Sequence, residues 1–323
     1  MLSYQHAFHA GNHADILKHF VLSFVLDSLN KKDKPYTFFD THSGSGLYDL
    51  YDNRSLKTGE AQKGILSLLE TLAQPENPNK NEDEKSFSGG QSLNNSDFDS
   101  YLKLVKNFTD KNFYPGSPLI EFSKMRSQDF LILSELHPQE IENLRKNIKN
   151  AGSENHNPNQ ESSANPSVQI HNRSGWEMIK ALTPPKTKRG AVLIDPSYEE
   201  VQDYSDAAST ILSVHKKWSS GIILLWYPLL AHRIELIEKM IAEITSGVKA
   251  QNENTELLRL ELIINDKNAH KEVSLSQNAM VNENAPRLYG SGMFVINAPW
   301  KLKESAEAVI EYLQSIFLKK TDS

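Results

Sequence analysis

The residues able to do chemistry in this chain sit at the ends of short apolar runs. Tyr36–Asp40 (YTFFD) is followed by Thr41-His42-Ser43-Gly44-Ser45-Gly46. Two glycines there let the backbone turn tightly and offer N–H groups to a ligand. The complete dinucleotide-binding fingerprint is absent. Phe130–Glu135 (FLILSE) ends in a carboxylate suited to a pair of ribose hydroxyls. Glu60 and Glu70 are alternatives by count along the chain, but both fall in helical patterns and not at a strand end. Val168–His171 leads into Asn172-Arg173-Ser174-Gly175, a polar turn able to border an adenine ring. Gly190–Asp195 (GAVLID) leads into Pro196-Ser197-Tyr198, which sets a carboxylate, a backbone carbonyl and an aromatic ring side by side. Each of these segments alone is also an ordinary turn or a surface acid. Together they mark the carboxyl ends of several strands, where open α/β sheets bind ligands.

Asp195-Pro196-Ser197-Tyr198 resembles the Asp-Pro-Pro-Tyr motif of amino methyltransferases. An exocyclic amine is a weak nucleophile because its lone pair is delocalised into the ring. In that motif the Asp195 carboxylate and the Pro196 carbonyl would hold the two amine hydrogens, and Tyr198 would stack the base. Positioning and electrostatics then supply most of the rate. Ser197 replaces the second proline, so a fixed φ is lost and an N–H is gained. A slacker site with activity retained is expected.

The first twenty residues hold His6, His9, His13 and His19 with Lys18. His9 and His13, four apart, have metal-ligand spacing on a helix. Gly11-Asn12 interrupts that helix and no acidic third ligand is evident, so no metal is assigned. Tyr4, His6 and Lys18 suit a lid that touches bases and phosphates.

The elements that must position these groups follow from the remaining pattern. The chain has 323 residues, 38% of them hydrophobic, enough for a substantial core. It has no cysteine, which excludes a disulfide scaffold, a thiolate metal site and a Cys nucleophile. The longest apolar run, Gly221–Ala231, is too short to span a bilayer. The first residues lack the apolar stretch of a signal peptide, and a soluble cytoplasmic protein is expected. The net charge is −6, but segments 75–98, 150–167 and 249–286 hold −7 of it and leave the rest at +1. Residues 74–97 and 150–167, rich in Asn, Ser, Glu and Pro, read as mobile surface loops. Residues 265–286 are a weaker third case.

Further strand-like runs occur at Gly221–Tyr227, Leu257–Ile264 and Met293–Asn297. Helical patterns cover His13–Leu29 with Asn12 as cap, Thr58–Leu72, Phe98–Phe108, Val201–Lys217, Ala231–Ile244 and Lys303–Phe317. Seven strands with intervening helices predict an open α/β sheet.

Seven signatures now coincide in order: MLSYxHxFHAGNHADxLKH, DTHxGxGxY, YPGSPL at Tyr114–Leu119, ELHP at Glu135–Pro138, DPxY, LWYP at Leu225–Pro228 and SGMxVINxPWKL at Ser291–Leu302. From Met1 to about Phe317, apart from the polar segments, the chain resembles the RlmJ family, the bacterial 23S rRNA adenine-N6-methyltransferases. The resemblance implies a class I S-adenosylmethionine-dependent methyltransferase fold, Rossmann-like, with a seven-stranded, mostly parallel sheet whose last strand is antiparallel. It implies one domain from 1–51 and 114–323, and an inserted small helical subdomain at 52–113. His19, His42, Gly44, Ser117, Glu135, Ser174, Gly175 and Asp195 would surround S-adenosylmethionine, with Glu135 on the ribose. Asp195, with Pro196 and Tyr198, would be catalytic. Tyr4, His6 and Lys18 would meet the RNA. The family usually has an acid where this chain has Ser174, so one hydrogen bond to the cofactor adenine is expected to weaken. The implied partner is 23S rRNA, protein-free or in an early assembly intermediate, met by a monomer without membrane contact. A DNA adenine-N6 methyltransferase and a nucleic-acid-binding protein linked to use of external DNA are the alternatives.

Overall fold

A computed structural model describes residues 6–73, 93, 95–154, 165–265 and 288–318. The polar segments fall largely outside these, except that residues 95–97 and 150–154 belong to the ends of helices and Ser167 begins a strand.

Among the described residues, seven strands form one sheet. Strands β1 (Thr37–Asp40), β4 (Phe130–Ser134), β5 (Ser167–His171), β6 (Gly190–Ile194) and β7 (Ile222–Leu230) run parallel. Strand β9 (Leu288–Ile296) inserts antiparallel between β7 and β8 (Leu257–Ile263), giving the order β5-β4-β1-β6-β7-β9-β8. This is the class I methyltransferase arrangement. β6 is buried at every position, as expected of a strand covered on both faces. Alternate side chains go to opposite faces: Phe38, Ala191 and Leu193 join one core, Phe39, Val192 and Ile194 the other. β7 runs past the end of β6, so Pro228 costs no bond to that neighbour.

Helix α1 (His13–Asn30) is buried nearly all round, in the core that also holds α10 (Leu302–Phe317). Phe20 on α1 meets the Phe98 ring edge-on at 5.6 Å, on helix α4 (Ser96–Thr109). Helices α7 (Gly175–Leu182), α8 (Gln202–Lys217) and α9 (Ile234–Gln251) cover the other face. Among the described residues, no helix is long and apolar enough to cross a membrane.

Three elements differ from the sequence pattern. The expected helix Thr58–Leu72 is broken. Helix α2 (Asn53–Thr58) ends at Gly59 with φ +64, and a π turn (Gln62–Leu66) precedes α3 (Ser67–Ala73). The break has a cause: the chain before α1 crosses at Gly64, where a Cβ would lie 2.2 Å from the Gly11 carbonyl oxygen. The Ile65 N–H donates to that same oxygen at 2.8 Å. Second, β2 (Leu47–Asp49) and β3 (Phe113–Pro115) pair antiparallel, a ribbon too short to leave a pattern. Third, α6 (Pro138–Glu154) was not evident, because Ile141, Leu144 and Ile148 are its only fully buried aliphatic contacts in a very polar stretch.

Candidate active site

The site begins with the first turns of α1. Asn12 caps the helix by accepting from the Asp15 N–H at 2.9 Å. That turn delivers three polar residues into the core. Asp15, 1% exposed, accepts from the Gly11 N–H (2.9 Å) and the Lys18 ammonium (2.9 Å), and pairs with His6 Nε2 (2.9 Å). Lys18 reaches on to Asp195 Oδ2 at 2.6 Å, 177 residues away in sequence, with its Nζ 5.7 Å from the Trp226 ring centroid. Burial alone would depress the Lys18 ammonium, but Asp15 and Asp195 outweigh it and hold the pKa above the ordinary lysine range. Burial would likewise raise the Asp15 carboxyl, yet His6 and Lys18 keep it well below the usual range. His19 Nδ1 meets the Tyr114 hydroxyl at 2.9 Å, and its buried Nε2 has no hydrogen bond. Burial keeps His19 neutral.

The turn after β1 forms the next wall. Gly44 has φ +57, and its N–H donates to Glu135 Oε2 at 2.8 Å. Glu135 Oε1 accepts from the His137 N–H at 2.7 Å, which fixes the carboxylate at the end of β4. Burial raises its pKa, partly offset by those N–H groups. His42 bonds Thr41 and meets Trp176 edge-on at 4.8 Å; burial lowers its pKa to about 4. Ser117 opens helix α5 (Ser117–Lys124) and donates to Asp40 at 2.7 Å. Asp40 is pushed up to about 7 by burial, and Glu121, fully buried on the next turn of α5, is raised well above the ordinary range beside it. Ser174 precedes α7, and Gly175 starts it against the β1 turn. A Cβ at Gly175 would lie 2.0 Å from the Thr41 carbonyl oxygen, so only glycine permits this approach.

His6, Lys18, His19, His42, Gly44, Ser117, Glu135, Ser174, Gly175, Asp195 and Pro196 all line one cavity of about 280 Å³ at the carboxyl ends of β1, β4 and β6. Tyr4 lies outside the described residues. Tyr198 departs from the expectation of a stacking ring. It is 2% exposed, packed 4.7 Å from Tyr204 and 6.0 Å from Trp226, and its hydroxyl donates to the Trp226 carbonyl at 2.9 Å. The physical reason is the local backbone: Tyr198 has φ +53, and Arg233 donates to the carbonyls of Tyr198 and Glu199, which turns the ring inward. Ser197 lines the cavity.

The sequence reading missed Asp15, Tyr48, Trp176 and Glu140. Tyr48 closes the DTHxGxGxY signature, and Asp15 stands three residues after the capping asparagine; both signals were visible. His9 turns to Glu60 at 2.9 Å instead of toward His13. Among the described residues, no cluster of three metal-ligating side chains occurs.

Five carboxylates (Glu135, Glu140, Asp195, Glu199 and Asp203) line the cavity against one lysine. Such a lining favours a cation and repels a polyanion. The arrangement suits a cationic nucleoside held by Glu135, facing an acceptor pair at Asp195.

A model of the family described as Ribosomal RNA large subunit methyltransferase D, RlmJ, matches residues 33–83 and 90–323. The chain is 33% identical over 319 residues to Ribosomal RNA large subunit methyltransferase J of Escherichia coli, covering 98% of this chain and 94% of that one. It is 34% identical over 317 residues to the protein of the same name from Haemophilus influenzae, covering 97% and 93%. A crystal structure of a protein from Legionella pneumophila, 29% identical, superposes with a TM-score of 0.70 over 96% of this chain and 94% of that one. The chain belongs to the RlmJ family of large-subunit ribosomal RNA methyltransferases.

Proposed function

We propose that this protein transfers the methyl group of S-adenosylmethionine to N6 of an adenosine in 23S rRNA. The observation that carries the reading is the opening of Glu135 and Asp195, from the ends of the strands on either side of β1, into one acidic cavity. The residues fit the cofactor. Glu135 is fixed by two backbone N–H groups and keeps lone pairs for ribose hydroxyls. His19 Nε2 is a buried polar atom without a hydrogen bond, and the lining carboxylates favour a sulfonium.

When bound, S-adenosylmethionine supplies an electrophilic methyl group. The protein's part is to present the amine. Lys18 occupies Asp195 Oδ2, which leaves Oδ1 and the Pro196 carbonyl as acceptors for the two amine hydrogens. Holding both hydrogens draws the nitrogen lone pair out of conjugation and aims it into the cavity. Tyr198 shapes the loop from behind, through its bond to Trp226. The acid lining keeps phosphates at the rim, so the target base must extend inward from an unpaired or flipped position. That requirement favours protein-free 23S rRNA or an early assembly intermediate, met in the cytoplasm. Residues 52–113 act as an inserted helical subdomain whose ends the β2–β3 ribbon closes, with 1–51 and 114–323 as the methyltransferase domain.

The test is incubation with labelled cofactor and either protein-free 23S rRNA or DNA of matching sequence, followed by digestion to nucleosides. Label in N6-methyladenosine from the RNA is expected. Label only in the DNA, or in another nucleoside, would overturn the reading.

A further inference from the structure

The structure assigns Asp15 a positioning role: it fixes the Lys18 ammonium against Asp195, and so sets the acceptor that meets the amine, given the reaction proposed above. In the sequence Asp15 stands only as one residue of the first signature, in the first turn after Asn12, and the geometry goes further. Its two oxygens divide their work. Oδ2 takes the Gly11 N–H and His6 Nε2, both at 2.9 Å, which ties the carboxylate to the segment before α1. Oδ1 takes Lys18 Nζ at 2.9 Å. Lys18 in turn sits 2.6 Å from Asp195 Oδ2. The chain of contacts runs from His6 through Asp15 and Lys18 to the end of β6, and every member except Asp15 lines the cavity.

A lysine side chain has four rotatable bonds and is a poor fixed reference on its own. With Asp15 on one side and Asp195 on the other, its ammonium has one position. The charges matter as much as the geometry. Lys18 alone with Asp195 would make a neutral pair that draws electron density from both carboxylate oxygens. With Asp15 included, the three groups carry −1. Asp195 Oδ1 then remains a full acceptor at the point where the amine arrives. Asp15 does not itself line the cavity, so it acts through Lys18.

The competing account is that Asp15 only starts the helix. Asp15→Asn separates the two, because an amide oxygen still accepts from Gly11 while the charge toward Lys18 is gone. The expected result in methyl transfer to 23S rRNA is a kcat lower by about 10–100-fold, as for a catalytic group displaced by about 1 Å. KM for RNA and cofactor should stay within about twofold. Asn12→Gly is the control for the helix start: it removes the bond to the Asp15 N–H without touching charge. It should lower the melting temperature and keep kcat within about threefold. Equal kcat losses in the two variants, or an Asp15→Asn loss confined to KM, would overturn the assignment. If Asp15→Asn does not fold, Asp15→Glu keeps the charge but moves it by one methylene, and a loss confined to kcat is again expected. Full activity in the Glu variant would then overturn it. An inactive wild type would instead count against the reaction, and not against this role.

Discussion

Replacing Lys18 by Met tests the charged centre of the site most sharply. The side chain is 5% exposed and bridges Asp15 at 2.9 Å and Asp195 at 2.6 Å. Methionine fills similar space without the charge. Asp15 is then left buried with the Gly11 N–H and His6 as partners and no lysine. Breaking a buried ion pair from one side costs about 3–5 kcal/mol. At roughly 2–4 °C per kcal/mol for a chain of this order, the melting temperature should fall by about 6–20 °C at pH 7.5. The sign with pH follows from Asp15. In the native protein its carboxyl is held well below the unfolded value, so it contributes stability above that value and loses it only as pH falls through the folded one. Without Lys18 one of the groups that depress it is gone, and burial, the largest opposing influence, raises the carboxyl of the variant. The deficit of the variant is therefore largest near neutrality and shrinks as pH falls and its buried carboxyl takes up a proton. Adding Asp15→Asn to Lys18→Met removes the stranded charge and should recover part of the lost melting temperature. Thermal melts of wild type, single and double variants at pH 7.5 and pH 4.5 measure this. A Lys18→Met melting temperature within 2 °C of wild type, or a double variant less stable than the single, would refute the reasoning.

Three other outcomes are expected. Glu135→Gln should weaken cofactor binding by about 10–100-fold in calorimetry with S-adenosylhomocysteine, the loss of charge-assisted bonds to ribose, with little change in melting temperature. Gly175→Ala must move α7 away from the β1 turn to clear the 2.0 Å contact with the Thr41 oxygen, so both stability and cofactor affinity should fall, the former by about 1–3 kcal/mol. Glu121→Gln should raise the melting temperature at pH 8 and leave it nearly unchanged at pH 4: the buried Glu121 carboxyl is raised well above the ordinary range, so the native state loses stability as pH rises past the unfolded value, and glutamine cannot titrate.

The sheet was legible in the sequence because its central strands are buried on both faces. GAVLI at 190–194 and IILLWY at 222–227 are continuous apolar runs that no amphipathic helix would show. Reading the turn after each strand then found most of the cavity wall, since the carboxyl edge of such a sheet gathers those turns. Three things were not legible. The break at Gly59–Gly64 depends on a segment fifty residues earlier crossing the helix, a contact without any local pattern. The inward turn of Tyr198 depends on Arg233 and on a hydroxyl partner at Trp226, both distant in sequence. Asp15 follows the capping Asn12 in the first turn of α1 and gave no signal of its own; only the fold brings Asp195 within reach of its lysine.

The central claim is that Asp195 presents an adenine amine for methylation. The most direct measurement is transfer of labelled methyl groups to protein-free 23S rRNA by wild type and by Asp195→Asn, which keeps the shape and a partner for Lys18 but removes the carboxylate. The account predicts label in N6-methyladenosine with the wild type and at least a hundredfold lower rate with the variant, with cofactor binding retained. Equal rates in the two proteins, or label in a nucleoside other than N6-methyladenosine, would contradict it.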